Sequence, residues 1–445
     1  MRLPPQVKYI VGNEACERFS FYGMRSILTV YMLQWLLFPE RDAKAWFHYF
    51  VMANYLTPLA GGWIADRFWG RYRTILWISF AYVFGHAVLA LWDTEVGLLV
   101  GCSLIALGAG GIKPCVSAFV GDQFGPDQRD VMQRVYGWFY WSINLGSASS
   151  YLVIPELLRT YGPSVAFAVP GVLMAVALLV FWAGSRHYVR TAPSGPDPHS
   201  FLRVVGRALK RLGTGRPGEH WLDGARDVHP EPAVAGAKAV FRIMGVFGAV
   251  TLFWALFDQK ASTWVIQASQ MERTLLGVER SPAAFQVFNP FFIMALIPLF
   301  TWVIFPLLAK RGVSLAPLRK MTWGMFLTAS SFAAAAILQT VIDGGERPTV
   351  LWQLPQYLLL TVGEILVSVT GLEFSYSQAP RTMRSTIMSI WFLTVALGNL
   401  LTAVLVRLVP LQGAANLWLF AGLMLLAALA FRVIARRYRY VQATA

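Results

Sequence analysis

Long apolar stretches, separated by short polar segments, repeat along the whole chain. Each is about 20 residues or longer, the length that a helix needs to cross a hydrocarbon core of roughly 30 Å. The first holds Glu14, Glu17 and Arg18 and has no small-residue cleavage site after it, so we expect a span and not a signal peptide. The pattern predicts twelve transmembrane helices, over 10–38, 44–65, 74–92, 97–120, 135–158, 163–185, 239–267, 284–309, 318–342, 351–377, 385–406 and 414–435.

Segment 186–238 interrupts this pattern, because it is rich in Pro, Gly and Arg and lacks an apolar run that could span. It predicts a six-helix bundle over 1–185, a cytoplasmic linker over 186–238 and a second six-helix bundle over 239–445. Within the linker, 199–212 could form an amphipathic helix. The layout predicts an all-α integral membrane protein with a major facilitator fold of twelve helices in two six-helix halves.

Composition supports a membrane protein. Of the 445 residues, 56% are hydrophobic and 14% are charged, whereas soluble proteins carry about 25% charged residues. These values exclude a disordered chain and a disulfide scaffold and disfavour a soluble enzyme. The three cysteines all fall in apolar stretches, so we expect no disulfide.

The net charge of +15 does not require a nucleic-acid partner, because basic residues also mark cytoplasmic loops. Most of the 38 Lys and Arg residues face the cytoplasm if the N-terminus does. The positive-inside rule therefore predicts that both termini are cytoplasmic, in a cell (inner or plasma) membrane.

Ionisable residues inside the predicted helices are costly, at least about 2.5–3.5 kcal/mol each on insertion scales. They are Glu14, Glu17, Arg18, Arg25, Lys113, Arg242, Asp258, Lys260, Glu364 and Glu373. Asp258, Lys260 and Glu373 are expected near helix ends, where water helps. The set could be ion pairs that only hold helices together. A functional interpretation is favoured because acidic and basic members are equal in number and concentrate on helices 1, 4, 7 and 10.

Helix 1 carries the densest group of charges. Glu14 and Arg18 are four residues apart and can pair, and Glu17 is adjacent. Two carboxylates beside an arginine form a site where small rearrangements change protonation. Arg25, further along, offers a guanidinium fork for a carboxylate.

The motif at 14–23, Glu-x-x-Glu-Arg-Phe-x-Phe-Tyr-Gly, resembles the signature of the proton-coupled oligopeptide transporter family, which usually has Tyr where Phe21 stands. His48 before the motif at 55–58 is similar to the animal-like branch of that family. Further matching motifs lie at 110–119, 121–124, 139–147, 253–259, 288–290, 363–365 and 370–380. The loop at 62–73 resembles the major facilitator signature between helices 2 and 3, and it marks the fold without indicating the substrate.

The resemblance implies roles for the charged residues. Glu14, Glu17, Arg18, His48 and Glu364 would couple protons. Lys113 would contact the peptide carboxylate or form a salt bridge with Glu364, which would bind the peptide ammonium or hold a proton.

It also implies a gate pair between Arg25 and Asp258. Each role has a structural alternative: Lys113 could snorkel to water, Asp258 could be an ordinary acid at a helix end, and His48 could be a packing residue. Arg242 stays unassigned.

The predicted substrate-binding residues include uncharged side chains as well as charged ones. An amide both donates to and accepts from a peptide bond, which suits a carrier that tolerates many side chains. The predicted substrate-binding residues are Tyr22, Arg25, Lys113, Tyr140, Asn144, Trp254, Asn289, Glu364, Ser368 and Trp391.

We expect no cofactor, no metal site and no catalytic residues, since no metal-ligand spacing, nucleotide loop or nucleophile motif appears. The sequence predicts a symporter that imports di- and tripeptides with protons by alternating access. Its partners would be the peptide, protons and the lipid bilayer, with no nucleic acid. A related carrier of nitrate, another small anion or a peptide mimetic is the alternative. A membrane enzyme or receptor would need a catalytic group or an extramembrane domain that the sequence lacks.

Overall fold

The computed structural model describes residues 4–125, 128–212, 219–313, 316–378, 383–438 and 440. Six long helices occupy the first part of the chain and coincide with the first six predicted spans. They are α1 (Val7–Gln34), α2 (Glu40–Ile64), α3 (Gly70–Leu91), α4 (Glu95–Gly121), α5 (Arg129–Tyr161) and α6 (Pro163–Ala183). A π-helical turn over Ala65–Trp69 joins α2 to α3.

The second part of the chain holds the other six predicted spans, three of them interrupted. After α7 (Phe201–Lys210), these helices are α8 (Glu231–Phe257), α9 (Thr263–Ser269), α10 (Phe288–Leu299), α11 (Phe305–Lys310), α12 (Pro317–Asp343), α13 (Leu354–Glu364), α14 (Thr370–Gln378), α15 (Arg384–Leu408) and α16 (Gly413–Arg437). A short hairpin of β1 (Thr274–Leu275) and β2 (Val278–Glu279) lies between α9 and α10.

The interruptions correct the expectation of continuous helices over 239–267, 284–309 and 351–377. A 3-10 turn over Asp258–Ala261 separates α8 from α9, and π-helical turns divide α10 from α11 and α13 from α14. Pro306 explains the second break, because it has no N–H to donate to the carbonyl four residues earlier. π-helical turns inside helices are frequent at functional sites.

Among the described residues, nine helical segments are long and apolar enough to cross a membrane. One of them, over 40–91, contains both α2 and α3. Helices α1 and α5 are long enough but more polar, α1 because of its buried charges and α5 because of its serines and aromatic side chains. The predicted all-α, multi-pass architecture is confirmed.

Two hydrophobic cores fill the molecule. The larger is built from α1–α6 and the second mainly from α8 and α12–α16. Glycines allow the closest approach: a Cβ on Gly61 of α2 would stand 1.9 Å from the carbonyl oxygen of Gly110 in α4. The cores agree with a division into bundles, but the boundaries at 185 and 239 stay a prediction, and α8 begins at Glu231.

The two sets of helices meet where α1 ends and α2 begins. There α2 packs on α15, and α5 packs on the 3-10 turn over Pro282–Val287. Glu156 of α5 accepts a hydrogen bond from the Ser281 amide at 3.1 Å. These contacts bring the charged residues of α1 and α8 together.

The segment between α6 and α8 forms a small layer of its own. Apolar side chains of α7 and of the 3-10 turn over Trp221–Ala225 pack on the first turns of α8. Burial alone would raise the pKa of Asp223, but its bonds with Lys238 and Arg226 hold that pKa below its usual range. A hydrogen bond from Arg207 likewise lowers the pKa of Asp227. Residues 213–218 lie outside the described residues, as do 379 and 380 of the motif at 370–380.

Candidate substrate and proton site

The charged group of α1 folds as its spacing predicts. Arg18 Nε donates to Glu14 Oε1 at 2.6 Å and lies 3.1 Å from Glu17 Oε2. Both carboxylates are fully buried, and the Tyr82 hydroxyl of α3 donates to Glu17 Oε1 at 3.3 Å. The other oxygen of Glu14 has no hydrogen-bond partner among the described residues. One guanidinium, with a single positive charge, therefore contacts two carboxylates. A proton on one of them would neutralise the remaining negative charge.

Arg25 pairs with Asp258, as predicted from the resemblance, and the pair joins α1 to the turn after α8. Both side chains are buried. The expectation that Asp258 and Lys260 lie near water is wrong, because the 3-10 turn directs them inward, where 2% and 4% of each residue is exposed. Glu373 does match that expectation, since it is exposed and lies 3.9 Å from Lys320.

His48 is fully buried and continues this pair into a chain of polar groups. Its Nδ1 lies 2.7 Å from Asn399 Oδ1, and its Nε2 lies 3.0 Å from Ser262 Oγ. The Asn399 amide nitrogen donates to Asp258 Oδ2 at 2.7 Å, so its oxygen faces His48 and accepts from Nδ1–H. Nε2 then accepts from the Ser262 hydroxyl, which can rotate to accept instead if His48 takes up a proton.

A second chain of polar groups surrounds Asn289 of α10. Lys260 Nζ donates to Asn289 Oδ1 at 2.7 Å. The Asn289 amide nitrogen donates to Glu364 Oε2 at 2.8 Å and to Thr361 Oγ1 at 3.0 Å. One amide thus connects a buried ammonium to a carboxylate.

The predicted ion pair between Lys113 and Glu364 is not formed among the described residues. Lys113 Nζ instead lies over the rings of Phe21 and Tyr55, 4.1 and 4.4 Å from their centroids, and 3.5 Å from the Asn54 carbonyl oxygen. Aromatic faces stabilise a cation electrostatically. The correction has a physical reason: Glu364 accepts from Asn289, which in turn accepts from Lys260 of the turn after α8, so Lys260 shares the hydrogen-bonded chain of Glu364.

The uncharged residues predicted to bind substrate fall into two groups. In the first, on α1 and α5, Tyr22 contacts Tyr151 edge to face at 6.1 Å, and Asn144 donates to the backbone oxygen of Tyr140 at 3.0 Å. In the second, on α8 and α15, the rings of Trp254 and Trp391 meet at right angles with their centroids 5.9 Å apart.

Ser368 lies in the π-helical turn after Glu364, half-buried. Arg242 is exposed on α8.

The loop at 62–73 is held by ionic contacts at the opposite end of the helices from the Arg25–Asp258 pair. Arg71 donates to both carboxylate oxygens of Asp122 at 2.5 and 2.6 Å. Thr191, after α6, donates to the same carboxylate at 3.2 Å. This arrangement ties α3, α4 and the start of the linker together.

The sequence model of the POT family matches residues 72–418. The chain belongs to the POT family. This confirms the family resemblance drawn from the motifs. POT is a family of transporters and not of enzymes, as the sequence predicts. Solute carrier family 15 member 2 of Rattus norvegicus is 38% identical over 390 residues, which are 83% of this chain and 54% of that protein. The chain spans about half the length of such curated relatives.

Solved structures of POT family proteins extend the similarity to the whole fold. The POT family transporter PepTSo superposes with a TM-score of 0.93 at 41% identity and covers 98% of both chains. A structure described as an auto-inhibited POT family peptide transporter gives a TM-score of 0.93 at 39% identity, covering 99% of both. The major facilitator arrangement predicted from the sequence is confirmed.

Sequence reasoning missed several residues of this site. The titratable side chains are connected by Asn399, Ser262 and Tyr82, none of which the sequence analysis singles out. The sequence predicts Lys260 only as a charged residue near a helix end. One sequence signal could have identified Asn399: it lies one turn from Thr402 on the otherwise apolar helix α15, and such paired polar residues indicate a buried polar contact. Among the described residues, no group of His, Cys, Asp and Glu is placed to hold a metal ion.

Proposed function

We propose that this chain is a proton-coupled symporter that imports di- and tripeptides by alternating access. The observation that carries the proposal is the fully buried group of Glu14 and Glu17 around one arginine. Burying Glu14, Glu17 and Arg18 in one membrane helix costs free energy that packing alone does not explain. Such groups typically mark ion or substrate pathways. The solved POT family structures include one described as a peptide transporter, which supports a peptide substrate.

Substrate would be recognised by its two charged ends. Lys113, held between aromatic faces and in no ion pair among the described residues, is suited to the peptide carboxylate. Glu364 is suited to the ammonium, which would replace Lys260 as its counter-charge. Tyr22, Tyr140, Asn144, Trp254, Ser368 and Trp391 would line the space between them.

Protons would act through two groups. Protonation of Glu14 or Glu17 would release Arg18 from one of its carboxylates. Protonation of His48 would place a second cation beside Arg25 in the chain that runs through Asn399 to Asp258. The second event would change the charges around the Arg25–Asp258 pair, so proton binding at His48 and opening of that gate would be linked.

The chain would lie in a cell (inner or plasma) membrane with both termini in the cytoplasm. The distribution of Lys and Arg supports this orientation. The polar side chains of the site would face a path through the bundle, and the apolar outer faces of the helices would face lipid.

The decisive experiment is uptake of a labelled dipeptide by proteoliposomes with and without an inward pH gradient. We expect accumulation above equilibrium only with the gradient. A dipeptide amidated at its C-terminus should compete at least tenfold more weakly than the free acid, because it lacks the charge that Lys113 would bind. Uptake of nitrate without uptake of peptide would support the anion carrier instead, and indifference to the gradient would reject proton coupling.

A further inference from the structure

A cavity of about 430 Å³ lies outside the proposed transport path, between the beginning of α12 and the end of α16. The chain turns back over it, because the Tyr440 hydroxyl accepts a hydrogen bond from the Leu318 amide at 3.5 Å. Trp323 and Phe326 form its apolar wall. The cavity therefore lies beside the outer surface of the bundle, where α16 ends.

Among the described residues, three arginines line this cavity: Arg319 on α12 and Arg432 and Arg436 on α16. None of the described residues that line it is Asp or Glu. Within the described part of the chain, none of the three forms an ion pair with a carboxylate, whereas their neighbour Lys320 lies 3.9 Å from Glu373. Three like charges converging on one cavity repel one another, and an anion between them would remove that repulsion.

The surroundings fit the boundary between membrane and water. Trp323 is 60% exposed on the outside of α12, as expected for an aromatic anchor at headgroup depth. Deeper along the same helices, Ile337 of α12 and Leu425 and Leu429 of α16 are exposed apolar side chains. An anion that enters here would have water at its charged end and hydrocarbon below.

We propose that this cavity binds the phosphate headgroup of an anionic phospholipid. Guanidinium forks bind phosphate oxygens through paired hydrogen bonds, and the Tyr440 hydroxyl, which accepts from the Leu318 amide, can donate its own hydrogen. The acyl chains would run along Trp323 and Phe326. Basic pockets between transmembrane helices recognise anionic headgroups in this way. A zwitterionic phosphatidylcholine would bind more weakly, because its own cation would approach the arginines.

A bound headgroup would also act on the helix that follows Glu364. The ring of Tyr440 meets Phe374 of α14 edge to face at 6.1 Å, and Tyr438 meets the same ring at 5.2 Å. By holding Tyr440, the lipid would keep Tyr438 and Tyr440 packed on α14.

The test is native mass spectrometry of the full, delipidated chain titrated with phosphatidylglycerol or with phosphatidylcholine of the same acyl chains. We expect tighter binding of phosphatidylglycerol. Replacing Arg319, Arg432 and Arg436 together by glutamine should weaken that binding at least tenfold and leave phosphatidylcholine unchanged. Monodispersity on a sizing column checks that the variant folds.

A matched control removes the same charge elsewhere on the molecule. Arg73, Lys310 and Arg311 are exposed and do not line the cavity, and their triple glutamine variant should bind phosphatidylglycerol within twofold of the unmodified chain. Equal loss in both triples would reveal a bulk charge effect and overturn the site, as would wild-type binding in the cavity triple. Full competition by millimolar glycerol 3-phosphate would show a free-phosphate site and reject a lipid.

Discussion

Arg25 of α1 and Asp258 at the end of α8 form an ion pair with 5% and 4% of their side chains exposed. The pair crosses between the two sets of helices, and Asn399 holds the second oxygen of Asp258 in place. A buried pair contributes little to stability compared with a well-packed apolar pair, but breaking it strands a charge. The proposed gating role rests on this position between the helix sets.

We predict that Asp258→Asn and Arg25→Met each destabilise the protein by about 3–5 kcal/mol, because one buried charge loses its partner. The double variant Arg25→Met, Asp258→Leu should recover most of that stability and still fail to transport. Thermal unfolding in detergent and dipeptide uptake measure the two effects separately. Arg159→Gln, which breaks an exposed pair with Glu156, serves as the control and should change stability by less than about 1 kcal/mol. Normal uptake by the double variant would show that the pair has no gating role.

Asn399→Leu should disconnect His48 from Asp258, since this amide bonds to both side chains. We expect gradient-driven uptake to lose its dependence on external pH while exchange of peptide for peptide continues. Thr402→Val, one turn further on α15, removes a buried hydroxyl that bonds to backbone oxygens, and it should retain the wild-type pH profile. An unchanged pH profile in Asn399→Leu would exclude this route for the proton.

Glu17→Gln should abolish gradient-driven uptake and preserve counterflow exchange. Glutamine keeps the size of the side chain and an oxygen for the Tyr82 hydroxyl, but it cannot release a proton. Tyr82→Phe is the matched variant, because it removes only that hydrogen bond, and it should lower uptake by less than tenfold. Full accumulation of dipeptide by Glu17→Gln would eliminate this carboxylate from the proton path.

The sequence predicted the helices well because a segment that spans a membrane must be apolar over about 20 residues, and such segments are visible in the hydropathy of the sequence. It also predicted the Arg18 contacts, which depend only on spacing along one helix. Spacing along one helix does not give partners on different helices: the Arg25–Asp258 pair was predicted only from the family resemblance, and the prediction for Lys113 was wrong. Lys113 was expected to meet Glu364, but a 3-10 turn after α8, invisible in the apolar pattern, brings Lys260 toward Glu364 instead. Helix rotation and local breaks decide such pairs, and neither is encoded in periodicity.

Packing of α2 on α4 should depend on one glycine of an adjacent pair. A Cβ on Gly61 would lie 1.9 Å from a backbone oxygen, whereas one on Gly62 would lie 3.6 Å from the nearest atom, Pro114 Cβ. Gly61→Ala forces the helices apart and should cost about 1–3 kcal/mol, as overpacking typically does. Gly62→Ala should be tolerated. Melting temperatures of the two variants give the comparison, and equal values would contradict the close approach of α2 to α4.

The last prediction separates the pair found in the structure from the pair predicted by the sequence. Lys260→Glu and Glu364→Lys should each reduce monodisperse protein, because each places two like charges beside Asn289. The swapped double variant should recover it, since the Asn289 amide can turn over and present its nitrogen to the new carboxylate at position 260 and its oxygen to the new ammonium at position 364. Uptake should stay lost, because the peptide ammonium would then meet a cation. The equivalent swap of Lys113 with Glu364 should give no recovery, as Lys113 lies over the rings of Phe21 and Tyr55. Recovery by the second swap and not by the first would restore the pair predicted by the sequence.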